Sequence, residues 1–391
     1  MKLLFLSPRI PYPPDRGDKV RSLFILKTLA ARGELTLVCF VEPKSDQAAI
    51  SYIKSNFPDV HCIPHSSVQG VMNLILNILS KTPFQVAYYR NKRMQRVLDT
   101  LFATKQFDLV YTHMIRMIPY VQKHYEAKVI IDYCDCVSLE YKRSIKHRQG
   151  IGKLFFSIEA QRTERYELAM KDVFDENWMI SPVDLKALKM EHNPNSIVLP
   201  NMVQIPDSQP VLEFQERIIF TGNMSVAHNI SAATIVSKEI MPLLLTEYPR
   251  LKFYIVGAAP VPQVQALNNM NNTVVLGFVP DLYKELQKSD VFIAPLHFSA
   301  GIQNKILEAM ACSIPVLSTA NVAESLDCTD GKELLCAVSA TDFAQKTLVL
   351  LRDGSLRSQI GKNGYEFVKQ RFSSEAITSL INQRIDLLLN N

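Results

Sequence analysis

The chain has 391 residues, 47% of them hydrophobic and 21% charged, with a formal net charge of +5, and this length favours two domains over one core. No apolar run approaches the roughly 20 residues of a membrane span, and the apolar residues before Ser7 and Pro8 are too few for a signal peptide. The seven cysteines are scattered and fit neither a disulfide framework nor a zinc spacing, so we expect a cytoplasmic protein.

The first half of the chain alternates apolar runs with helical patterns. The predicted strands are KLLFLS (2–7), LTLVCF (35–40), DLVYTH (108–113) and KVIIDY (128–133). The predicted helices cover 18–33, 92–105 and 114–125. This βαβ alternation predicts a doubly wound parallel sheet, an α/β fold.

The loop after the first strand, SPRIPYPPDRGDKVRS (7–22), combines prolines with a glycine at a predicted helix start. Gly17 there can admit a phosphate or an acceptor hydroxyl close to backbone amides. Asp18, Lys19 and Arg21 follow it on the first turns. These four residues are our candidates for acceptor binding. A proline-stiffened turn with Asp18 near an N-cap would account for Asp18 but not for the two cations.

Residues 1–175 are basic, with 26 Lys and Arg against 17 Asp and Glu, a net of +9; the remainder carries 17 against 21, a net of −4. Three segments combine basic and apolar residues or are strongly apolar: 71–81, 90–102 and 144–156. They fit peripheral contact with an anionic membrane, or apolar faces that are simply core and basic faces that are solvated. Nucleic acid is not expected, because no recognisable nucleic-acid-binding motif is present.

Two carboxylates, Asp132 and Asp135, come at the end of the predicted strand at 128–133. At that edge of a parallel sheet they face the crevice where ligands bind, and Asp135 is the stronger catalytic candidate. Carboxylates three residues apart can also hold a divalent cation. We expect no metal and no cofactor.

The second half repeats the alternation, with predicted strands at 217–222, 251–257, 273–278, 290–295 and 314–319. Between the halves, residues 192–214 are rich in Pro, Asn and Ser, which predicts a linker. The predicted architecture is two Rossmann-like domains facing a cleft, with residues 1–202 forming the acceptor domain and 203–370 the nucleotide-sugar domain. Residues 371–391 are predicted to form a final helix, after a helix that breaks around 372–374.

The strand at 217–222 ends in Gly222, so the backbone there can approach a ligand closely. Asn223 and His228 follow in the loop and are candidates for nucleotide binding. His228 could donate to a phosphate, although a loop histidine is more often an ordinary surface residue.

Residues 289–318 contain a strand, a loop, a helix and a second strand. Gly301 is expected to open the helix, so that its own amide and that of Ile302 favour a diphosphate. Lys305 and Glu308 share the polar face, which suits a nucleotide sugar: the cation for the phosphates and the carboxylate for the ribose hydroxyls. A lone KxxE pattern is more often an ion pair on an amphipathic helix.

This stretch resembles the donor site of glycosyltransferase family 4 through LEAMA (307–311) and PV (315–316). The loop at 7–22 and the pattern Gly222-x-Met224 with Asn229 resemble a subset tied to exopolysaccharide assembly, as do Asp132, Asp135 and Ser138. The resemblance implies a GT-B fold, whose final helix (371–391) returns to the first domain. It also implies a retaining transferase that uses a UDP- or GDP-sugar, without a metal, on a glycan or lipid-linked glycan acceptor.

By the same resemblance, Lys305 and Glu308 hold the donor and Asp135 lies near the transferred sugar. The chain departs from the family at Ala300, where the wider family has a second Glu, and at His228, where the subset has Pro. Ala300, together with the absence of the Arg and Lys that many family members place in the loop after the strand at 217–222, leaves open a non-catalytic GT-B scaffold subunit. A nucleotide-sugar epimerase, which shares the fold, is the other alternative. The patterns do not distinguish uracil from guanine.

Overall fold

The computed structural model describes residues 1–42, 45–121, 126–145, 150–207, 213–297 and 301–390. The chain divides into two compact units. Unit 1 consists of Met1–Pro200 and Thr378–Asn391, and unit 2 of Asn201–Ile377.

Unit 1 is built on a seven-stranded sheet in the order β3-β2-β1-β4-β5-β6-β7, with every neighbouring pair parallel. Its strands are β1 (Lys2–Ser7), β2 (Glu34–Val41), β3 (Asp59–Pro64), β4 (Leu109–His113), β5 (Lys128–Cys134), β6 (Glu176–Met179) and β7 (Ser196–Val198). Its helices before the linker are α1 (Gly17–Ala30), α2 (Gln47–Asn56), α3 (Ser67–Leu76), α4 (Phe84–Tyr88), α5 (Lys92–Thr104), α6 (Val137–Ile145), α7 (Gly150–Met170) and α8 (Pro182–Ala187).

Unit 2 is built on a six-stranded parallel sheet in the order β10-β9-β8-β11-β12-β13. The strands are β8 (Arg217–Thr221), β9 (Lys252–Val256), β10 (Thr273–Gly277), β11 (Val291–Ile293), β12 (Val316–Ser318) and β13 (Leu335–Cys336). The helices are α9 (Ala227–Ile235), α10 (Met241–Leu244), α11 (Pro262–Gln265), α12 (Leu282–Leu286), α13 (Asn304–Ala311), α14 (Ala320–Leu326), α15 (Ala340–Arg352) and α16 (Gly354–Phe372). The last helix, α17 (Ser374–Asn390), begins in unit 2, and its residues from Thr378 belong to unit 1.

The strands are apolar because helices cover both faces of each sheet. In β1 the residues from Leu3 to Ser7 are all buried, and so is the whole of β4. The predicted α/β fold of two doubly wound parallel sheets is therefore confirmed.

Two local predictions were wrong. The interval 192–214 is not only a linker, because Ser196–Val198 pairs with β6 as the edge strand β7. The predicted helix at 114–125 is a 3₁₀ helix over Ile115–Tyr120 in the part that is described, with Pro119, which lacks an N–H, inside it. The continuous helical stretch 227–244 contains a π-helical turn at Val236–Ile240, which joins α9 to α10.

Both sheets reverse their strand order at one point, between β1 and β4 in unit 1 and between β8 and β11 in unit 2. Ligands of open α/β sheets bind outside the carboxyl ends of the strands at this switch point. Thr221 and Ile293 are the last residues of β8 and β11. The loops that follow them are the place to look for a site.

Among the described residues, no helix combines the length and the apolar character needed to cross a membrane.

Candidate functional site

The carboxyl end of β8 lies very close to that of β9. A Cβ atom on Gly257 would lie 1.8 Å from the carbonyl oxygen of Gly222, so only glycine fits there. A Cβ on Gly222 would lie 2.8 Å from the side-chain amide nitrogen of Asn229. These glycines let Asn229, near the start of α9, reach back over the end of the strand.

Lys305 lies on the first turn of α13 and contacts this amide. Its Nζ donates to Oδ1 of Asn229 at 2.5 Å and to Oε1 of Gln303 at 3.3 Å. Nδ2 of Asn229 in turn donates to the carbonyl oxygen of Asn223 at 2.9 Å. One hydrogen-bonded chain therefore joins the loop after β8 to the helix after β11, across the switch point.

The helix begins later than predicted. α13 starts at Asn304 with Gln303 as N-cap, and Gly301 precedes it with a φ of 77°. That left-handed conformation interrupts the helix and suits glycine. Within the described residues, the amides of Gly301 and Ile302 donate to no acceptor. They lie in the loop before the helix and not on its first turn.

The ionisable groups around Lys305 have displaced pKa values. Burial lowers the pKa of Lys305 to about 8, and the neighbouring Glu308 only partly offsets this. Burial and then the Lys305 charge lower the pKa of His228 to about 4. At neutral pH the histidine is uncharged, and Lys305 is the cation of this site.

Glu308 lies one turn after Lys305, partly buried, and burial raises its pKa although Lys305 opposes the shift. No residue in the described part of the chain donates a hydrogen bond to its carboxylate. Tyr283 is close enough for the Glu308 charge to contribute to the raised pKa of the phenol, after burial. A desolvated carboxylate without a donor is suited to accept hydrogen bonds from a ligand.

The structure thus brings together most of the predicted donor residues: Gly222, Asn223, His228, Lys305 and Glu308, with Gly301 and Ile302 on the adjoining loop. Asn229, which holds the Lys305 ammonium, was noticed only as part of a motif and not as a site residue. Ala300 lies outside the described residues.

Unit 1 has a cavity of about 560 Å³ at the carboxyl ends of β1, β2 and β3. Its lining includes Arg9, Asp15, Arg16, Lys19, His65 and Tyr89. Asp18 lies beside it and receives a hydrogen bond from Nη1 of Arg9 at 2.7 Å. Burial alone would raise the pKa of Asp18, but Arg9 and Arg16 outweigh it and the pKa is lowered.

Sequence reasoning missed the aromatic wall of this cavity. His65 is buried, stacks on Tyr89 with ring centroids 5.2 Å apart, and has no partner for either ring nitrogen among the described residues. Arg9 was not singled out either. Of the predicted acceptor residues, Lys19 lines the cavity, and Gly17 begins α1 with open space where a Cβ would lie.

Arg21 is placed differently from Lys19, because its side chain is buried and does not line the cavity. Its guanidinium donates to both carboxylate oxygens of Asp132, at 2.7 and 3.0 Å, and to the carbonyl of Leu199 at 2.8 Å. Burial would raise the pKa of Asp132, but Arg21 lowers it far below its usual value.

Asp132, His113 and Cys134 bring potential metal-ligating atoms within 4.8 Å of one another. The carboxylate is already occupied, because Arg21 and the hydroxyl of Tyr111, at 2.5 Å, both donate to it. The group is therefore better described as a buried ion pair with a bound phenol. Asp135 is the first residue after β5 and is exposed at the strand end. Desolvation by the neighbouring protein atoms, and then the charge of Asp184, raise its pKa.

Comparison with known proteins bears on the same segments. Residues 215–353, which contain the whole Lys305 site, match the family described as glycosyl transferases group 1. These residues of unit 2 belong to that family. The match covers this segment and not the whole chain, and the segment is that of a glycosyltransferase, a class of enzymes.

Two curated relatives are similar in sequence. A 44.6 kDa protein in the cps region of Klebsiella pneumoniae is 21% identical over 399 residues, covering 97% of this chain and 98% of its own length. The capsular polysaccharide biosynthesis glycosyltransferase CapM of Staphylococcus aureus is 36% identical over 109 residues, 27% of this chain and 28% of CapM. In structure, HepE of Anabaena in complex with UDP has a TM-score of 0.64 at 16% identity, over 99% of this chain and all of HepE, a likeness in fold.

Proposed function

We propose that this glycosyltransferase is a retaining, family 4-like enzyme that transfers a sugar from a nucleoside-diphosphate sugar to a glycan, carried on a lipid, in surface polysaccharide synthesis. It would work on the cytoplasmic face of the membrane and need no metal. The observation that carries the proposal is the Lys305 site: a desolvated cation and a carboxylate without a donor at the switch point of unit 2.

Lys305 and the amides of Gly301 and Ile302 would bind the diphosphate of the donor. As the bond between the sugar and the phosphate breaks, negative charge grows on the leaving diphosphate, and a fixed cation in a partly buried site stabilises it. Glu308 would accept hydrogen bonds from the ribose hydroxyls. Neutral His228 would donate to a phosphate oxygen through a ring N–H.

The cavity of unit 1 would bind the acceptor. Its cations are paired with carboxylates, Arg9 with Asp18 at 2.7 Å and Lys19 with Asp15 at 3.2 Å. Such pairs can donate to and accept from sugar hydroxyls, and the rings of His65 and Tyr89 offer a flat apolar surface to a pyranose. The volume of about 560 Å³ suits a ligand of small-molecule size.

Retention would follow from attack on the same face that the diphosphate leaves. The acceptor oxygen forms a bond to the anomeric carbon, the bond from that carbon to the phosphate oxygen breaks, and the acceptor proton passes to a leaving phosphate oxygen. Asp135 would orient the acceptor or stabilise positive charge on the sugar. Arg21, bound to Asp132, would hold the end of β5 in place and not touch the acceptor.

The relatives support this assignment. HepE has been solved with UDP and with UDP-glucose, and CapM is a capsular polysaccharide glycosyltransferase.

The first test is the melting temperature of the protein with UDP, GDP and no nucleotide. A ligand that binds only the folded state raises the melting temperature. We expect a shift with UDP or GDP that Glu308→Ala abolishes and that Glu239→Ala, an exposed carboxylate on the π-helical turn, leaves intact. If neither nucleotide shifts the wild-type protein, the donor site is refuted.

Turnover separates the enzymes that share the fold. With the nucleotide sugar that fits, we expect transfer to a lipid-linked glycan, or slow hydrolysis without an acceptor, and loss of both in Lys305→Ala. Interconversion of the donor into an epimer would overturn the transferase proposal in favour of an epimerase. Nucleotide binding without any turnover would favour a scaffold.

A further inference from the structure

Helix α3 has the reverse of the usual orientation, because its small and amide residues face the protein. Gly70 is buried, and a Cβ there would lie 2.2 Å from the Tyr88 ring. Nδ2 of Asn73, one turn on, donates to the carbonyl of Arg90 at 2.8 Å. A surface helix of a water-soluble domain normally buries its apolar side.

The opposite side of the segment is apolar and exposed. It presents seven side chains, with Leu76 exposed by 78% and Leu79 by 96%: Val68, Val71, Met72, Ile75, Leu76, Ile78 and Leu79. Single exposed apolar residues are common, but a contiguous apolar stripe marks an interaction surface.

The start of α7 extends this surface. Leu154, Phe155 and Ile158 are exposed, and Phe155 stacks on Phe84 with ring centroids 5.5 Å apart. Nη2 of Arg162, on the same helix, donates to the carbonyl of Ile78 at 2.6 Å. The two exposed segments are therefore adjacent parts of unit 1. We call them together the apolar ridge.

Positive charge surrounds the ridge. Residues 66–80 include no charged residue, and residues 66–98 include no Asp or Glu but five cations: Lys81, Arg90, Lys92, Arg93 and Arg96. All five are exposed, as is Lys153 beside Leu154. The nearby acids of α7 are engaged elsewhere, Glu159 by the amide of Phe84 and Glu164 by Lys142.

Helix α5 shows that exposed apolar residues beside cations are not a general feature of residues 1–175, the basic part of the chain. Its apolar residues Met94, Leu98 and Leu101 are buried in the core, and its exposed residues are polar, charged or small, with no large apolar side chain among them. The sequence left two interpretations open for such segments, membrane contact or an apolar face that belongs to the core. In α5 the apolar face belongs to the core, whereas in α3 and at the start of α7 the apolar side chains are exposed. Lys146 and Arg148 of the third segment lie outside the described residues.

We propose that the apolar ridge docks unit 1 onto an anionic lipid surface, with its side chains at the boundary of headgroups and acyl chains and the surrounding cations on lipid phosphates. Apolar burial and attraction to anionic headgroups act together at such interfaces. A symmetric dimer through the ridge would bring the cations of two copies together, which disfavours it. This inference deepens the proposed function. It rests on that function in one respect only, namely that an acceptor carried on a lipid gives unit 1 a reason to bind a membrane.

The test is co-sedimentation of the full-length protein with vesicles, without donor or acceptor. We expect binding to vesicles of equal parts phosphatidylglycerol and phosphatidylethanolamine, and much weaker binding to phosphatidylcholine. Leu76→Ser with Leu79→Ser should weaken the binding by about tenfold or more, since two side chains no longer leave water. Both residues are exposed, so the fold should be unaffected.

The matched control is Val338→Ser with Leu243→Ser, two exposed apolar residues of unit 2, which should bind vesicles like the wild type. Lys81→Gln with Lys153→Gln should reduce the preference for anionic vesicles, whereas Lys238→Gln with Lys369→Gln in unit 2 should not.

Equal vesicle binding by wild type and the Leu76/Leu79 variant would overturn the proposal, as would no binding by the wild type. Sedimentation velocity adds a second check: a wild-type dimer that the same variant converts to a monomer, without vesicle binding, would assign the ridge to self-association. Failure of the nucleotide to shift the melting temperature would refute the proposed function and leave this inference standing.

Discussion

Lys305 is positioned by a neutral side chain, that of Asn229, so its charge can still bind an anion. The Asn229 amide oxygen accepts from its ammonium without cancelling the charge, and Glu308 lies on the same helix face without a hydrogen bond to it. A fully formed ion pair would have to be broken before a diphosphate could bind. The structure therefore leaves the positive charge available.

Donor affinity should depend on the protonation of Lys305. Because burial lowers its pKa to about 8, the ammonium is present below that pH and is lost as the pH rises through it. We expect the affinity for the nucleotide to fall by about tenfold per pH unit above this value, in step with the charged fraction. Calorimetric titration of the protein with the nucleotide, repeated at several pH values from neutral to alkaline, measures this affinity.

Lys305→Arg is the matched variant for that titration. A guanidinium stays charged throughout the range, so its affinity should be weaker at neutral pH but nearly flat above pH 8. An alkaline decline of the same steepness in both proteins would show that another group titrates.

The pair of Arg21 and Asp132 should stabilise unit 1 strongly. Arg21→Met leaves a buried carboxylate without its cation, and the expected cost is about 3–5 kcal/mol of the free energy of unfolding. Trp178, the single tryptophan, is buried in β6, so its fluorescence during urea unfolding reports on unit 1. The exposed Arg96→Met should change stability by about 0.5 kcal/mol or less.

The stabilisation by the Arg21–Asp132 pair should depend on pH with a definite sign. The pKa of Asp132 is lowered in the folded state, so its contribution is present above the ordinary pKa of an aspartate and is lost as the pH falls below it. The difference in stability between wild type and Arg21→Met should therefore narrow in acid. If the difference in stability between wild type and Arg21→Met stayed the same in acid, this account would be contradicted.

At the scale of elements, the loops after β8 and β9 determine the shape of the site around Lys305. Gly257→Ala should destabilise the protein by about 1–3 kcal/mol, because the added methyl group would overlap the carbonyl of Gly222. It should also abolish the nucleotide-dependent shift in melting temperature. Gly354→Ala, whose Cβ would meet nothing closer than 3.7 Å, should do neither. Normal nucleotide binding by Gly257→Ala would show that the close approach is not needed.

The longer strands could be predicted from the sequence because their apolar runs are uninterrupted, as in β1 and β9. The strands β3, β6, β7 and β13 were not predicted, whereas the three-residue strands β11 and β12 were, from the apolar runs around them. β6 contains Glu176 and Asn177, and β7 and β13 have three and two residues, so that sheet hydrogen bonds and not composition define them. The start of α13 was placed too early because the dihedral angles of Gly301 cannot be deduced from its identity.

The candidate site was predictable where a local motif carried it. Lys305 and Glu308 lie one turn apart, and Gly222 ends a strand that could be recognised. The cavity wall of unit 1 was not, because Arg9, His65 and Tyr89 are distant in sequence. They meet only through the parallel alignment in which Ser7 pairs with Cys39 and Val41 with Pro64.

At the scale of the whole molecule, α17 should be required for unit 1. Arg384 donates to Glu176 at 3.0 Å, and Ile381 and Ile385 are fully buried. A chain ending at Ser373 exposes the surface that these isoleucines cover, and burial of each contributes about 1.5–3 kcal/mol. We expect its Trp178 emission to shift to the red and its urea midpoint to fall.

Leu387→Ser, at an exposed position on the same helix, serves as the control and should leave the midpoint unchanged. The nucleotide-dependent stabilisation of unit 2 should persist in the shortened chain. A midpoint equal to that of the full chain would show that unit 1 does not need the helix.

The division of the chain also sets an order of events during synthesis. Unit 2 is a continuous segment, complete once Ile377 has left the ribosome, whereas unit 1 is begun first and lacks its last piece until residues 378–391 emerge. Domains usually mature from the amino end as the chain grows. Here the half translated first is the half finished last, and a nascent chain stalled before residue 378 has emerged holds a complete unit 2 and an unfinished unit 1.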